Sequence, residues 1–316
     1  MRDATALQLV NAWQRGFPLA PRPFAEIAAR SGLSETEVIE SFERFRANGV
    51  IDRIGPVFRP NTVGASTLAA MAVPPERLET VAALVSRRES VNHNYEREHR
   101  CNLWFVVAAS GAAAVEKEIL LIEEQAGLPV LRLPLLEEYH IDLGFDLVDH
   151  RVPRGERRRA EPAPMTPEEK RLVARVARGI PLVRRPYAAL GLPEEAAIAA
   201  LGRWLQAGVV RRIGAVVRHR PLGYTANAMV AWDVADENAA EIGRRLAADP
   251  AVTLCYRRAR ALPQWPYNLY CMIHGRSRAR VLQEVKRMRE SHGLKRFARS
   301  ILFSRRCFSQ RAAHYG

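Results

Sequence analysis

The sequence predicts an α+β protein made of one unit written twice in tandem, each copy a winged helix-turn-helix followed by a ferredoxin-like βαββαβ domain. Three observations carry this. First, the chain repeats itself: Ala47-Asn48-Gly49-Val50-Ile51-Asp52-Arg53-Ile54-Gly55-Pro56-Val57 returns, 159 positions on, as Gln206-Ala207-Gly208-Val209-Val210-Arg211-Arg212-Ile213-Gly214-Ala215-Val216. Shorter matches keep the same order: Gly16-Phe17-Pro18-Leu19 with Gly179-Ile180-Pro181-Leu182, Asn102-Leu103-Trp104 with Asn268-Leu269-Tyr270, and Gly127-Leu128 with Gly293-Leu294. Second, Arg151 to Pro167 holds five Arg and four Pro, a composition unable to make a core, and it separates halves 1–150 and 166–316. Third, within each half the apolar spacing changes from helical to alternating. The resulting boundaries are 1–62 and 166–222 for the winged helices, 63–150 and 223–316 for the ferredoxin-like domains, and 151–165 for the linker.

The elements follow in order. Leu7, Val10 and Trp13 form a helical stripe that stops near Gly16, and Pro23-Phe24-Ala25-Glu26-Ile27-Ala28 opens a second short helix ending at Gly32. Ser34 with Glu37 three residues on is a capping box, and it starts a third helix through Val38, Phe42 and Phe45 to Gly49. An extended wing from Val50 to Phe58 completes the winged motif. Next come a strand over Ser66–Val73, a helix over Glu76–Arg88, strands over Val91–His99 and Asn102–Ala109, a helix over Ala112–Gln125 and a strand over Val130–Tyr139. The second half repeats this, with strands near Asn227–Val234, Val252–Arg258, Tyr267–Ile273 and Phe297–Ser304.

Composition narrows the function classes. No uncharged apolar run approaches the roughly 18 residues that span a bilayer, and the amphipathic N-terminal segment has no apolar signal core, so a cytoplasmic protein without membrane contact is expected. Cys101, Cys255, Cys271 and Cys307 form no C-x-x-C pair and read as reduced, buried thiols rather than a zinc site. Charge is uneven: residues 1–150 carry 15 basic and 21 acidic side chains, whereas residues 151–316 carry 33 and 13. Of the 48 basic residues, 44 are Arg, whose forked guanidinium grips carboxylates and phosphates, so a polyanionic partner is expected.

The winged helix with a ferredoxin-like domain resembles the Lrp/AsnC family of transcription regulators, which makes duplex DNA the first candidate. The would-be recognition helices argue against it. One begins Glu35-Thr36-Glu37 and carries Glu40 and Glu43, and the other begins Glu194-Glu195 and turns aliphatic; carboxylates there repel a phosphate backbone. No nucleic-acid partner is therefore expected, and a DNA-binding regulator, with heme as a candidate effector, is the alternative reading.

The densest chemistry lies in Val91-Asn92-His93-Asn94-Tyr95-Glu96-Arg97-Glu98-His99-Arg100. Strand alternation places His93, Tyr95, Arg97 and His99 on one face: two imidazoles, a phenol and a guanidinium in a row. In the second half Tyr256 and Arg258 match Tyr95 and Arg97, while Leu254 and Arg260 stand where the histidines were. The run His93–His99 with Asn102-Leu103-Trp104-Phe105 resembles the D-type subunit of the siroheme decarboxylases. Arg212 to Arg220, Cys255-Tyr256-Arg257-Arg258, Trp265-Pro266-Tyr267-Asn268-Leu269-Tyr270 and His274-Gly275 resemble the L-type subunit, so the chain as a whole resembles a fused DL protein.

The resemblance implies non-oxidative loss of carbon dioxide from the C12 and C18 acetates of siroheme, giving 12,18-didecarboxysiroheme in heme d1 biosynthesis. It implies no cofactor beyond the iron tetrapyrrole that is the substrate. It also implies association through the ferredoxin-like sheets, with a homo-oligomer and related G- or H-type subunits as expected partners. A substrate bearing eight carboxylates would account for the Arg-rich half. On this reading His93 and His99 are the catalytic candidates, one donating a proton and the other orienting the departing carboxylate. Arg97 and Arg258 clamp carboxylates, Tyr95 and Tyr256 hydrogen-bond or stack, and Trp104 and Trp265 supply apolar walls. Arg218 and His219, after the second wing, are further substrate contacts, with His219 a possible iron ligand. His274 and the Tyr139-His140 pair read as structural.

Overall fold

The computed structural model describes residues 3–141, 165–218, 220–313 and 315. The first half runs α1 (Asp3–Ala12), α2 (Pro23–Ser31), α3 (Glu35–Ala47), β1 (Ile51–Phe58), β2 (Ala65–Met71), α4 (Leu78–Arg87), β3 (Val91–Arg97), β4 (Leu103–Ala109), α5 (Ala112–Ala126) and β5 (Leu131–Ile141). The second runs α6 (Pro167–Ala177), α7 (Glu194–Gln206), β6 (Val210–Val217), β7 (Ala226–Trp232), α8 (Asp236–Ala247), β8 (Val252–Arg258), β9 (Leu269–Gly275), α9 (Arg278–Ser291) and β10 (Arg299–Gln310). All but Met165 of the segment read as a linker, and His219 as well, lie outside the described residues. No described helix is long and apolar enough to cross a membrane.

The described residues form two compact units, and each draws on both halves of the chain. One holds 3–65, 165–218, 220–222 and 315; the other holds 66–141 and 223–313.

In the first unit the expected capping box is present: the Ser34 hydroxyl accepts from Glu37 N, and Glu37 Oε2 accepts from Ser34 N at 2.8 Å. Thr166 and Glu169 cap α6 the same way. The second half departs from the first where a helix equivalent to α2 was expected. Only a 3₁₀ turn, Tyr187–Leu190, forms between Pro186 and the left-handed Gly191. The two wings pair with each other: β1 and β6 run antiparallel with Gly55 opposite Gly214. The repeated Ile-Gly has a physical reason here. Phe17 N donates to Ile213 O at 3.1 Å and Ile180 N donates to Ile54 O at 2.8 Å, so each wing is crossed by the chain leaving the other half's first helix. A Cβ at Gly214 would lie 2.3 Å from Gln14 O, and one at Gly55 would lie 3.1 Å from Val176 O. Only glycine admits so close a crossing at Gly214.

The second unit is a closed eight-stranded barrel in the order β10-β3-β4-β2-β5-β8-β9-β7. Each half supplies four strands, and its last strand is lent to the other: β5 pairs with β8, and β10 pairs with both β3 and β7. Closure leaves no free sheet edge, which removes the usual route to uncontrolled strand pairing. The ferredoxin-like strands of the two halves thus form one sheet within one chain. The lent strands are anchored by packing: Tyr139 of β5 sits in the second half's core, and a Cβ on Gly243 of α8 would fall 2.2 Å from its ring. Side-chain amides, half-buried at Asn102 and buried at Asn268, fix equivalent corners in both halves. Asn102 bonds both polar groups of the Val73 backbone at 2.9 Å, and Asn268 does the same to Val234 at 3.0 and 2.9 Å.

Candidate active site

Inside the barrel lies an apolar cluster drawn from both halves, including Leu68, Cys101, Trp104 and Leu133 from the first and Met229, Tyr256, Trp265, Tyr270 and Leu302 from the second. The chemistry-bearing side chains are set along it. His93 stacks on Tyr95 with ring centroids 6.1 Å apart and planes 13° from parallel, and the Arg97 guanidinium lies 5.5 Å from the other neighbour, the same Tyr95 ring. In the second half Arg258 lies 4.6 Å from the Tyr256 ring, and Tyr256 stacks on Tyr270 at 5.7 Å.

The two arginines are held alike. Arg97 Nη1 donates to Leu302 O at 3.1 Å and to Ser304 Oγ at 3.0 Å; Arg258 Nη1 donates to Leu133 O at 2.8 Å. Thus each half's arginine is braced by the strand lent from the other half. Neither has a carboxylate partner among the described residues, and the Nε of each is buried without a hydrogen bond. Burial pulls both guanidinium pKa values below the ordinary arginine range, with nearby tyrosines opposing it. Arg260, the counterpart of His99, is fully engaged instead, donating to Asp233, Asp236, Val234 O and Pro266 O.

The strand β3 ends at Arg97, and this corrects the expected placement of His99 on its face. Arg97 N bonds Asn102 O and His99 N bonds Arg97 O, so the chain turns there and His99 stands beyond the strand as an exposed residue. Its ring is nonetheless held. Nδ1 accepts from Cys101 N at 3.0 Å, which leaves the proton of the neutral ring on Nε2, and the ring meets Trp265 edge-on at 5.2 Å. Partial burial and then the charge of Arg100 lower the imidazole pKa below 6.5. A cavity of about 260 Å³ opens beside it, lined by Pro75, Leu78, Glu96, Arg97, Glu98, His99, Asn102 and Arg305. Glu96 and Glu98 are already matched by Arg305, Arg306 and Arg278, so Arg97 is the uncompensated charge on this wall.

The His99 shift has a testable consequence. The folded state holds this imidazole neutral more firmly than the unfolded chain does, so between the lowered folded pKa and 6.5 the unfolded state binds more protons. Stability present above pH 6.5 is therefore expected to fall as pH drops through that window, and a His99→Gln variant should lose less. Denaturant unfolding of both proteins across that range measures it.

Trp104 and Trp265 were expected to supply apolar walls. Both are fully buried, 4.9 Å apart and edge-on to each other. Their N–H groups are satisfied internally, Trp104 by Cys101 O at 2.6 Å and Trp265 by the Tyr270 hydroxyl at 2.7 Å. Arg218 belongs to the first unit, where it pairs with Asp52 at 2.6 Å; His219 is outside the described residues. Of the cysteines, Cys101, Cys255 and Cys271 are buried as expected, but Cys307 is exposed. No group of three His, Cys, Asp or Glu residues able to hold a metal ion occurs among the described residues. Tyr270 was not singled out from sequence; its signal was that it replaces Trp104 in the otherwise matching Asn-Leu-aromatic triplets.

Two family models match. The AsnC-like ligand binding domain covers residues 63–140 and 221–309, and the siroheme decarboxylase NirDL-like HTH domain covers residues 7–51. The siroheme decarboxylase NirDL subunit of Paracoccus denitrificans is 42% identical over 315 residues, spanning 98% of this chain and 97% of its own. That of Paracoccus pantotrophus is 43% identical over 316 residues, with the same coverage of 98% and 97%. Among solved structures, siroheme decarboxylase NirDL in complex with an iron-uroporphyrin III analogue matches with a TM-score of 0.69 at 29% identity, covering 99% of this chain and 94% of that one.

Proposed function

The chain belongs to the siroheme decarboxylase family, and on that premise we propose that it is a cytoplasmic carboxy-lyase that converts siroheme to 12,18-didecarboxysiroheme at the polar seam of its barrel. The observation that carries this reading is the pair of guanidiniums, Arg97 buried and Arg258 half-buried, with no carboxylate partner among the described residues. Buried cations without counter-ions are costly, and a ligand rich in carboxylates supplies what is missing. The duplicated strand order and the matching Asn102 and Asn268 corners support a tandem duplication of a winged helix and a ferredoxin-like domain as its origin.

The reaction at each acetate arm is redox-neutral. The bond from the methylene to the carboxyl carbon breaks, carbon dioxide leaves, and the electron pair left on the methylene is accommodated by the macrocycle until a proton makes it a methyl group. No oxidant is called for by this balance. The protein must hold carboxylates and deliver one proton per arm.

The histidines divide these tasks. His93 and Arg97 are four strand residues apart, about 13 Å at about 3.3 Å per residue, and His99 lies past Arg97. On this reading they attend different parts of one macrocycle rather than one departing carboxylate. His99, with Nδ1 taken by Cys101 N and its pKa lowered by partial burial, serves with Arg97 as an anchor for a peripheral carboxylate. His93, half-buried against Tyr95, is the proton donor. Tyr256 and Arg258 hold a further carboxylate in the second half.

Anaerobic incubation of the purified chain with siroheme, followed by mass analysis of the extracted pigment, tests the proposal. Loss of two carbon dioxide units is expected. Pigment recovered unchanged, together with a salt-dependent shift of duplex DNA, would return the regulator reading.

A further inference from the structure

We infer that the Tyr270 hydroxyl is a positioning group: by holding the Trp265 indole it fixes the His99 imidazole, so the second half sets the geometry of a group supplied by the first. The inference rests on the anchoring role proposed for His99.

His99 is exposed and sits in a turn, where an imidazole would ordinarily swing freely, yet two contacts determine its ring. Cys101 N–H fixes Nδ1, and the edge-on Trp265, 86° from the ring plane, fixes the tilt. The first contact is local to the turn. The second comes from the other half, and it is only as firm as Trp265 itself.

Trp265 has no accessible surface, and its one polar atom must find an acceptor inside the protein. Tyr270 Oη accepts that N–H at 2.7 Å and passes its own proton toward Tyr267 O at 3.3 Å. The Tyr270 ring is clamped in turn by stacking on Tyr256 at 5.7 Å and 21°. The result is a continuous chain of contact from Tyr256 through Tyr270 and Trp265 to His99.

The comparison of the halves shows why a tyrosine is needed. Trp104 occupies the matching place in the first half and sends its N–H to Cys101 O at 2.6 Å. A tryptophan at position 270 could only donate, leaving the Trp265 N–H buried and unpaired. Tyrosine both accepts and donates, so the single difference within the Asn-Leu-aromatic triplets is the one that lets Trp265 be held.

A double-mutant cycle on the full chain tests this, with Tyr270→Phe, Trp265→Phe and the double variant. One readout needs no activity: the His99 ring-proton chemical shifts, assigned with His99→Gln, which the Trp265 ring current displaces. The other is the division between KM and kcat for siroheme. Tyr270→Phe is expected to move the His99 shifts and to raise KM about tenfold, with kcat changed less than about twofold. In the Trp265→Phe background, Tyr270→Phe should add nothing. Unmoved His99 shifts in Tyr270→Phe, or independent, additive effects in the double variant, would overturn the inference. Should Trp265→Phe fail to fold, the shifts in Tyr270→Phe decide alone. A parent chain that left siroheme unchanged would remove the proposed reaction, while the shifts would still decide whether Tyr270 positions His99.

Discussion

Replacing His93 by alanine is expected to lower siroheme turnover about a hundredfold or more while changing affinity only severalfold, the range spanned by loss of a general acid. The reason is its place on β3. His93 lies opposite Val106 of β4 and Gln310 of β10, half-buried, with its ring parallel to Tyr95. It is the imidazole on the stripe itself, whereas His99 stands past the end of the strand with Nδ1 committed to Cys101 N. Substitution at His93 thus leaves no second described imidazole on that strand. His93→Gln, which keeps a polar side chain but supplies no proton, should be as slow as His93→Ala. Single-turnover incubation with mass analysis gives the rate, and the change in the pigment's visible spectrum gives the affinity. Unchanged turnover would remove His93 as donor; a parallel collapse in binding would make it an anchor instead. His99→Ala should show the opposite division, weaker binding with most of the rate retained at saturation.

Much of the local structure was legible because it depends on neighbours in sequence. The Ser34 and Glu37 capping box, the left-handed glycines ending α2 and α5, and the order of strands and helices in each half follow from propensity and period. What the pattern does not encode is which strand meets which. An alternating stripe reports that one face differs from the other, but it is the same whether that face lines a barrel or meets solvent. Hence the bracing of Arg97 and Arg258, read as carboxylate clamps, by strands lent from opposite halves was not legible, nor that Arg97 is buried and Arg258 half-buried. The displacement of His99 has a similar cause: alternation continues through Glu98 and His99, and it takes the Arg97 N to Asn102 O and His99 N to Arg97 O bonds to show that the strand has already turned. The mismatch of Trp104 with Tyr270 was visible in the repeat, yet its meaning required the Trp265 N–H that points at it.

Arg97→Met is expected to weaken binding of the iron tetrapyrrole by about a hundredfold or more without making the empty protein easier to unfold, since losing one partner of a desolvated charge pair typically costs about 2–5 kcal/mol. The two halves of that expectation have one cause. In the empty barrel the Arg97 guanidinium is desolvated, and among the described residues its Nε has no partner and only neutral oxygens of Leu302 and Ser304 receive its protons. Methionine relieves that desolvation and occupies similar space, at the expense of one donor to Leu302 O and Ser304 Oγ, so the two changes in the empty protein oppose each other. In the bound state they do not. There a substrate carboxylate enters a site whose matching cation is gone, and nothing else on that wall replaces it, because Arg305, Arg306 and Arg278 are taken up by Glu96 and Glu98. An arginine kept only to brace β10 would give the reverse result, with stability lost and affinity intact. Denaturant unfolding with and without saturating ligand separates the cases. The ligand should stabilise the parent far more than Arg97→Met, because in the parent its carboxylate neutralises a charge that folding alone leaves uncompensated.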